Sequence, residues 1–153
     1  MPKSKTQNSV EASAPGGRDH LRLFTDRLPQ LVQSIRELVE IESPSDHKPS
    51  GDRMGAILAE KFHALGGRVR IHPAKDYADH VQVDFPGHEK AKPILLLGHF
   101  DTVYPLGTLA TMPCRIADGK MHGPGVFDMK SGVALMLAAI EALQTGTVPC
   151  LGP

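Results

Sequence analysis

From Ile94 to Leu97 the chain runs through four apolar residues, bounded by Pro93 and Gly98, and then meets His99 and Asp101. A run this short between a proline and a glycine fits a strand better than a helix. Its unbroken apolarity predicts an interior strand covered on both faces rather than a half-exposed one. A strand of that kind requires layers above and below it, so the rest of the chain is expected to supply them.

The flanking patterns agree. Leu28, Leu31, Val32, Ile35, Leu38 and Val39 recur at helical spacing within residues 20–42, with Pro29 starting the regular part or kinking its first turn. ESPSDHKPSG interrupts that pattern as a loop. A second helix is expected from about 52 to 65, its buried stripe formed by Met54, Ile57, Leu58, Phe62 and Leu65, with Gly66 and Gly67 as the stop. The period then shortens. Val69 and Ile71 alternate with arginines, and Val81, Val83 and Phe85 alternate in the same way, as strands do. CRIADGKMHG at 114–123 predicts a hairpin turning at Asp118 and Gly119. A last helix over about 130–144 carries Val133, Met136, Leu137, Ile140 and Leu143. Residues 1–19 read as a disordered lead and 145–153 as an irregular tail, which leaves 20–144 as one α/β unit.

Composition excludes several functions. The 17 basic residues balance the 17 acidic ones, so no electrostatic footprint for nucleic acid or an anionic membrane is present. Tryptophan is absent, and aromatic residues make up only 5% of the chain, too few for a base-stacking platform. Cys114 and Cys150 form neither a disulfide framework nor a CxxC metal knuckle. With no apolar signal segment and no run long enough to span a membrane, a cytoplasmic location is the expectation.

Two polar foci remain. In a strand, residues i and i+2 share a face, so His99 and Asp101 point the same way near the end of the apolar run. One imidazole nitrogen could then bind a metal while the other donates to the carboxylate. The alternative is a strand-end histidine and aspartate bonded to backbone. In HGPGVFDMKSG, Asp128 precedes the last helix and reads either as an N-terminal cap or as a carboxylate ligand. His99 and Asp128 reaching one sheet edge would suit zinc, which takes nitrogen and oxygen ligands. The other histidines offer less. His63 reads as a surface or boundary residue, His47 as part of a flexible loop, and His72, His80 and His88 as strand-flanking without a ligand-spaced partner. His122 is placed to line a pocket, and Lys130 reads as a solvated cation at the helix start. GPG lacks the phosphate-loop pattern, and Ser131 lacks a G-x-S-x-G setting.

Taken together, GHFDTVYP followed by GPGVFDMKSG, with RELVEIESPS upstream, resembles the di-zinc peptidase and deacylase family of glutamate carboxypeptidases, acetylornithine deacetylases and succinyl-diaminopimelate desuccinylases. The resemblance covers about residues 25–144. It implies a three-layer α/β/α zinc-peptidase-like catalytic domain, represented by its N-terminal part without the inserted lid or dimerisation domain. On that resemblance His99 is a zinc ligand, and Asp101 is the catalytic-site carboxylate that steadies its ring. Asp128 is the bridging ligand, often joined in the family by a cis peptide to the next residue, here Met129. DTVYPLG is closer to the carboxypeptidase-like branch, and DMKSG stands where the family usually has DMKGG.

The implied cofactor is a pair of zinc ions, with cobalt or manganese as other divalent choices. The implied reaction is hydrolysis of a peptide or N-acyl amino acid amide bond by metal-activated water. The family's glutamate base and remaining ligands would fall beyond Pro153, so the expectation is a partial site, inactive alone. A completing polypeptide or homodimerisation is the expected partnership. An N-acyl amino acid deacylase and a non-catalytic scaffold are the competing readings.

Overall fold

A computed structural model describes residues 17–87 and 92–144. The elements run α1 (Gly17–Asp26), α2 (Leu28–Val39), α3 (Lys48–Ala64), β1 (Arg68–His72), β2 (His80–Asp84), β3 (Arg115–Ala117), β4 (Lys120–His122) and α4 (Ser131–Gln144). The α/β class expected from the sequence is the class observed.

The first expected helix is two. The chain breaks at Arg27, and Pro29 lies in the first turn of α2, where its missing N–H has no intrahelical partner to lose. Residues 17–19, expected in a disordered lead, begin α1, while 1–16 and the tail 145–153 lie outside the described residues. Helix α3 starts four residues earlier than the expected residue 52. The ring of His47 accepts from the Ser50 N–H at 3.3 Å, and Pro49 occupies the first turn. His47 is therefore a helix cap rather than part of a flexible loop. The C-terminal stop is as expected: Gly66 adopts φ 90°, and the Gly66 and Gly67 N–H groups donate to His63 O and Phe62 O.

Leu38 of α2, Met54 and Leu58 of α3, and Val133 and Ala134 of α4 form the buried cluster, with Leu31, Ile35, Phe62, Phe100 and Leu137 packed around it. Strands β1 and β2 pair antiparallel, Val69 opposite Val83 and Ile71 opposite Val81, and lie against α3. The approach is close because Gly51 and Gly55 sit one turn apart on α3. A Cβ on Gly51 would come within 2.5 Å of the Ala78 Cβ, and one on Gly55 within 3.3 Å of Val81. Asp79 fastens the connecting loop to the start of α3, pairing with Lys48 and donating its N–H to Asp52 at 2.8 Å. The second hairpin turns as expected, with Asp118 at φ 51° and Gly119 at φ 71°. No described helix is long and apolar enough to cross a membrane.

The apolar run departs from expectation. Among the described residues it joins no β-ladder, since β1 and β2 pair with each other and β3 with β4. Ile94, Leu95 and Leu97 are 88%, 82% and 82% exposed, so the run is not an interior strand covered on both faces. Continuous apolarity signals that a strand needs cover; it does not identify which residues provide it. A contiguous exposed patch of this type favours association. Leu95→Lys with Leu97→Lys should reduce self-association in sedimentation velocity and lower hydrophobic-dye binding. The unfolding free energy should stay within about 0.5 kcal/mol, as is usual for exposed sites.

Candidate metal centre

Beyond the apolar run, the segment 99–102 alternates in environment. Phe100 packs against the core and Thr102 is buried, whereas His99 and Asp101 face a cleft of about 620 Å³. That alternation follows from the two-residue repeat of strand-like backbone. What fixes it is the loop after α2. The fully buried Ser43 donates through its hydroxyl to Phe100 O at 2.7 Å, and its carbonyl accepts the Thr102 N–H at 2.8 Å. The Ser45 N–H then donates to Thr102 O at 3.0 Å. These two backbone bonds make Pro44 and Thr102 a parallel bridge, and both use the neighbours of Pro44, so proline's missing N–H is not needed.

The second segment arrives through a glycine-rich turn. Gly125 takes φ 72°, and its α-carbon lies so near Thr102 that an added Cβ would sit 2.5 Å from Thr102 Cγ2. Asp128 follows at φ −124° and ψ 96°, outside helical geometry and before α4 begins at Ser131. The Asp128–Met129 peptide is cis, in line with the family resemblance. The Asp128 carboxylate meets His99 instead of capping the helix.

Both expected ligands and the expected steadying carboxylate thus come together. His99 Nε2 lies 2.8 Å from Asp128 Oδ1, and its Nδ1 lies 3.1 Å from Asp101 Oδ1. Carboxylate oxygens on both ring nitrogens favour the doubly protonated ring, and the Asp128 contact is the largest cause raising the His99 pKa, partly opposed by burial. A divalent cation would compete with the Nε2 proton for the same two atoms, and nitrogen with carboxylate oxygen is a donor set that zinc accepts. The pair fits one side of such a centre. Among the described residues no cluster of three His, Cys, Asp or Glu side chains is placed to hold an ion.

Three supporting residues are not legible as such in the sequence. Ser45 donates its hydroxyl to Asp101 Oδ2 at 2.5 Å. Glu42 accepts the N–H groups of Gly107 at 2.7 Å and Leu109 at 2.9 Å, and these bonds hold its carboxyl below the usual range. Lys130, expected to be solvated, is 1% exposed. Its Nζ donates to Ile41 O at 2.6 Å, and burial pushes its pKa down to about 8, opposed by the charge of Glu42. The signal for Glu42 and Ser45 is the polar sequence Glu42, Ser43, Pro44, Ser45 soon after an apolar helix, within RELVEIESPS; Lys130 lies in GPGVFDMKSG, where nothing local marks it as buried.

The remaining histidines sort by position. His122 lines the cleft, and its register partner Arg115 does so too. His63 is exposed, as expected, with Nδ1 3.2 Å from Gly67 O. His72 and His80, expected to flank strands without a ligand-spaced partner, end β1 and begin β2, opposite each other in the register. His88 lies outside the described residues.

The chain is similar in sequence and in fold to known proteins. A family model described as Peptidase family M20/M25/M40 matches residues 95–150. Carboxypeptidase G2 of Pseudomonas sp. (strain RS-16) is 30% identical over 122 residues, covering 78% of this chain and 29% of that protein. Succinyl-diaminopimelate desuccinylase of Corynebacterium glutamicum is 44% identical over 57 residues, covering 37% of this chain and 15% of that protein. In fold, human carnosine dipeptidase 1 superposes with a TM-score of 0.74 at 21% identity, over 89% of this chain and 33% of that one. The chain spans a third or less of the length of each.

Proposed function

Because the chain belongs, through residues 95–150, to peptidase family M20/M25/M40, we propose that it contributes part of the metal centre of a hydrolase. The bond cleaved would be an amide, in a peptide or an N-acyl amino acid. The observation that carries this reading is the 2.8 Å approach of His99 Nε2 to Asp128 Oδ1, with Asp101 on the opposite ring nitrogen. A bound zinc would supply Lewis-acid polarisation of the carbonyl and an acidified water. His99 would hold it through Nε2, and Asp128 through a carboxylate able to bridge two ions. Asp101, by accepting from Nδ1, keeps the ring in the tautomer that leaves Nε2 free as a ligand and raises its basicity. The cleft beside the pair, lined by Tyr104, Arg115, His122 and Phe127, is where a small substrate would lie.

Carboxypeptidase G2 as a relative favours release of a C-terminal amino acid, whereas succinyl-diaminopimelate desuccinylase favours an N-acyl amino acid substrate. A panel of both substrate types separates the two. A non-catalytic interaction role draws on the exposed run 94–97, with a second copy or another polypeptide as partner. A cytoplasmic location completes the reading.

Calorimetric titration of zinc into the purified chain tests the proposal. Binding with a stoichiometry near one ion is expected, and a folded chain that binds no zinc would overturn it. Turnover of either substrate type by this chain alone is expected to stay below detection. Two donors converge among the described residues, and a catalytic zinc site uses about three protein ligands.

A further inference from the structure

The loop after α2 does more than close a turn, because one of its side chains reaches the centre. We propose that Ser45 is a positioning residue for the metal pair: its hydroxyl fixes the Asp101 carboxylate, which in turn fixes the His99 ring. This inference rests on the reading of His99 and Asp128 as metal ligands.

A short carboxylate is not held by a single contact. The terminal torsion of an aspartate is broad and roughly two-fold, so one contact leaves the group free to rock. Asp101 has both oxygens assigned. Oδ1 faces His99 Nδ1 at 3.1 Å, and Oδ2 accepts from the Ser45 hydroxyl at 2.5 Å. With Oδ2 occupied, Oδ1 is held toward the ring, and Nδ1 is also 3.2 Å from the Asp101 carbonyl. The ring is thereby oriented with Nε2 toward Asp128. A hydrogen bond from a hydroxyl to an ionised carboxylate is charge-assisted and stronger than one between neutral groups.

Ser45 can perform this task because its own position does not depend on its hydroxyl. Its N–H is bonded to Thr102 O, and the adjoining bridge and the buried Ser43 hold the loop backbone against residues 100–102. The hydroxyl has one proton, and Asp101 Oδ2 at 2.5 Å is a better acceptor than Thr102 O at 3.2 Å. The backbone places the serine, and the serine places the carboxylate. Removing the hydroxyl should therefore leave the fold standing and loosen only the chain of contacts from Asp101 to His99.

The experiment uses Ser45→Ala, Ser45→Thr, Asp101→Asn and the Ser45→Ala/Asp101→Asn double variant, each titrated with zinc chloride by calorimetry and melted without metal. A direct hydrogen-bond partner of a metal-ligating histidine typically matters by about 10- to 100-fold in metal affinity, so a group one bond further out should matter by roughly 3- to 10-fold. Ser45→Ala should show that loss with its melting transition unchanged, Ser45→Thr should restore affinity to within about twofold, and the loss should vanish in the Asp101→Asn background. An unchanged affinity in Ser45→Ala, or an equal loss with Asp101→Asn already in place, overturns the proposal.

The metal-free chain supplies an independent reading through the side-chain spectra of the His99 ring. Wild type should show the ring in one orientation between Asp101 and Asp128, and Ser45→Ala should broaden or split its signals. Identical spectra would overturn the role of Ser45. Failure of the wild-type chain to bind zinc would overturn the metal reading alone, leaving the spectra to decide the role of Ser45.

Discussion

His99→Ala should weaken zinc binding by more than about 100-fold, with little change in folding stability. The size of the effect follows from what the substitution removes. Partners one bond behind a metal ligand are typically worth about 10- to 100-fold, and His99 is the ligand itself. It is also the route by which Asp101 acts on the site, so the contribution of Asp101 disappears with it. The folding cost is small because the His99 side chain is 46% exposed and the Asp128 side chain 81% exposed. Asp128→Asn is expected to produce a similar loss of zinc binding, since an amide carries no charge to balance the cation and offers one oxygen instead of two. Asp101→Asn should fall between wild type and these two. Calorimetry with zinc ranks the four proteins, and circular dichroism melts confirm that each is folded. If His99→Ala retained the wild-type affinity, the ions would be bound elsewhere on the chain.

The ordering of these effects shows which parts of the site are legible in the sequence. His99, Asp101 and Asp128 are legible because local backbone geometry explains most of their arrangement. A two-residue repeat puts His99 and Asp101 on one face, and a glycine-rich turn before an apolar helix brings Asp128 to a chain reversal. Whether the two segments meet is a long-range fact, and the likeness of both motifs, in order, to a known family supplies it. Ser45, Glu42 and Lys130 have no such help. Their partners lie far away in sequence, Asp101 from Ser45 by 56 residues and Ile41 from Lys130 by 89, and no local period encodes contacts of that range.

The same physics explains the fold. Helices α2, α3 and α4, the alternating strands β1 and β2 and the β3–β4 hairpin follow from periodicity and turn chemistry, which are properties of a few neighbouring residues. His47 escapes such a reading because a histidine ring nitrogen capping a helix is rare beside the usual Ser, Thr, Asp or Asn. The surroundings of the run at 94–97 escape it too, because apolarity on both faces measures a demand for cover and carries no information about the partner that meets it.

Between pH 8 and pH 10.5 the wild-type chain should gain stability relative to Lys130→Met, by about 3 kcal/mol in all. Burial lowers the Lys130 pKa from 10.5 to about 8, so the folded state gives up this proton more readily than the unfolded state does. Below pH 8 the lysine is protonated in both states, and folding bears the full cost of burying the charge. Above 10.5 it is neutral in both, and the cost is gone. Between the two values the unfolded chain binds more protons, which is the condition for stability to rise with pH. Each pKa unit corresponds to about 1.4 kcal/mol, which sets the size of the gain. The charged group acting on Lys130 is Glu42, whose own pKa is held low by the Gly107 and Leu109 N–H groups, so it stays ionised throughout this window. The bond from Nζ to Ile41 O survives deprotonation because a neutral amine still donates. Methionine has no proton to lose and cannot donate to Ile41 O, a defect that is the same at every pH. Taking wild type minus variant from urea unfolding at each pH cancels the other titrating groups, including Cys114 and Lys48, whose raised pKa values act in overlapping ranges. A flat difference curve would mean that Lys130 is solvated, against its 1% exposure and its bond to Ile41 O.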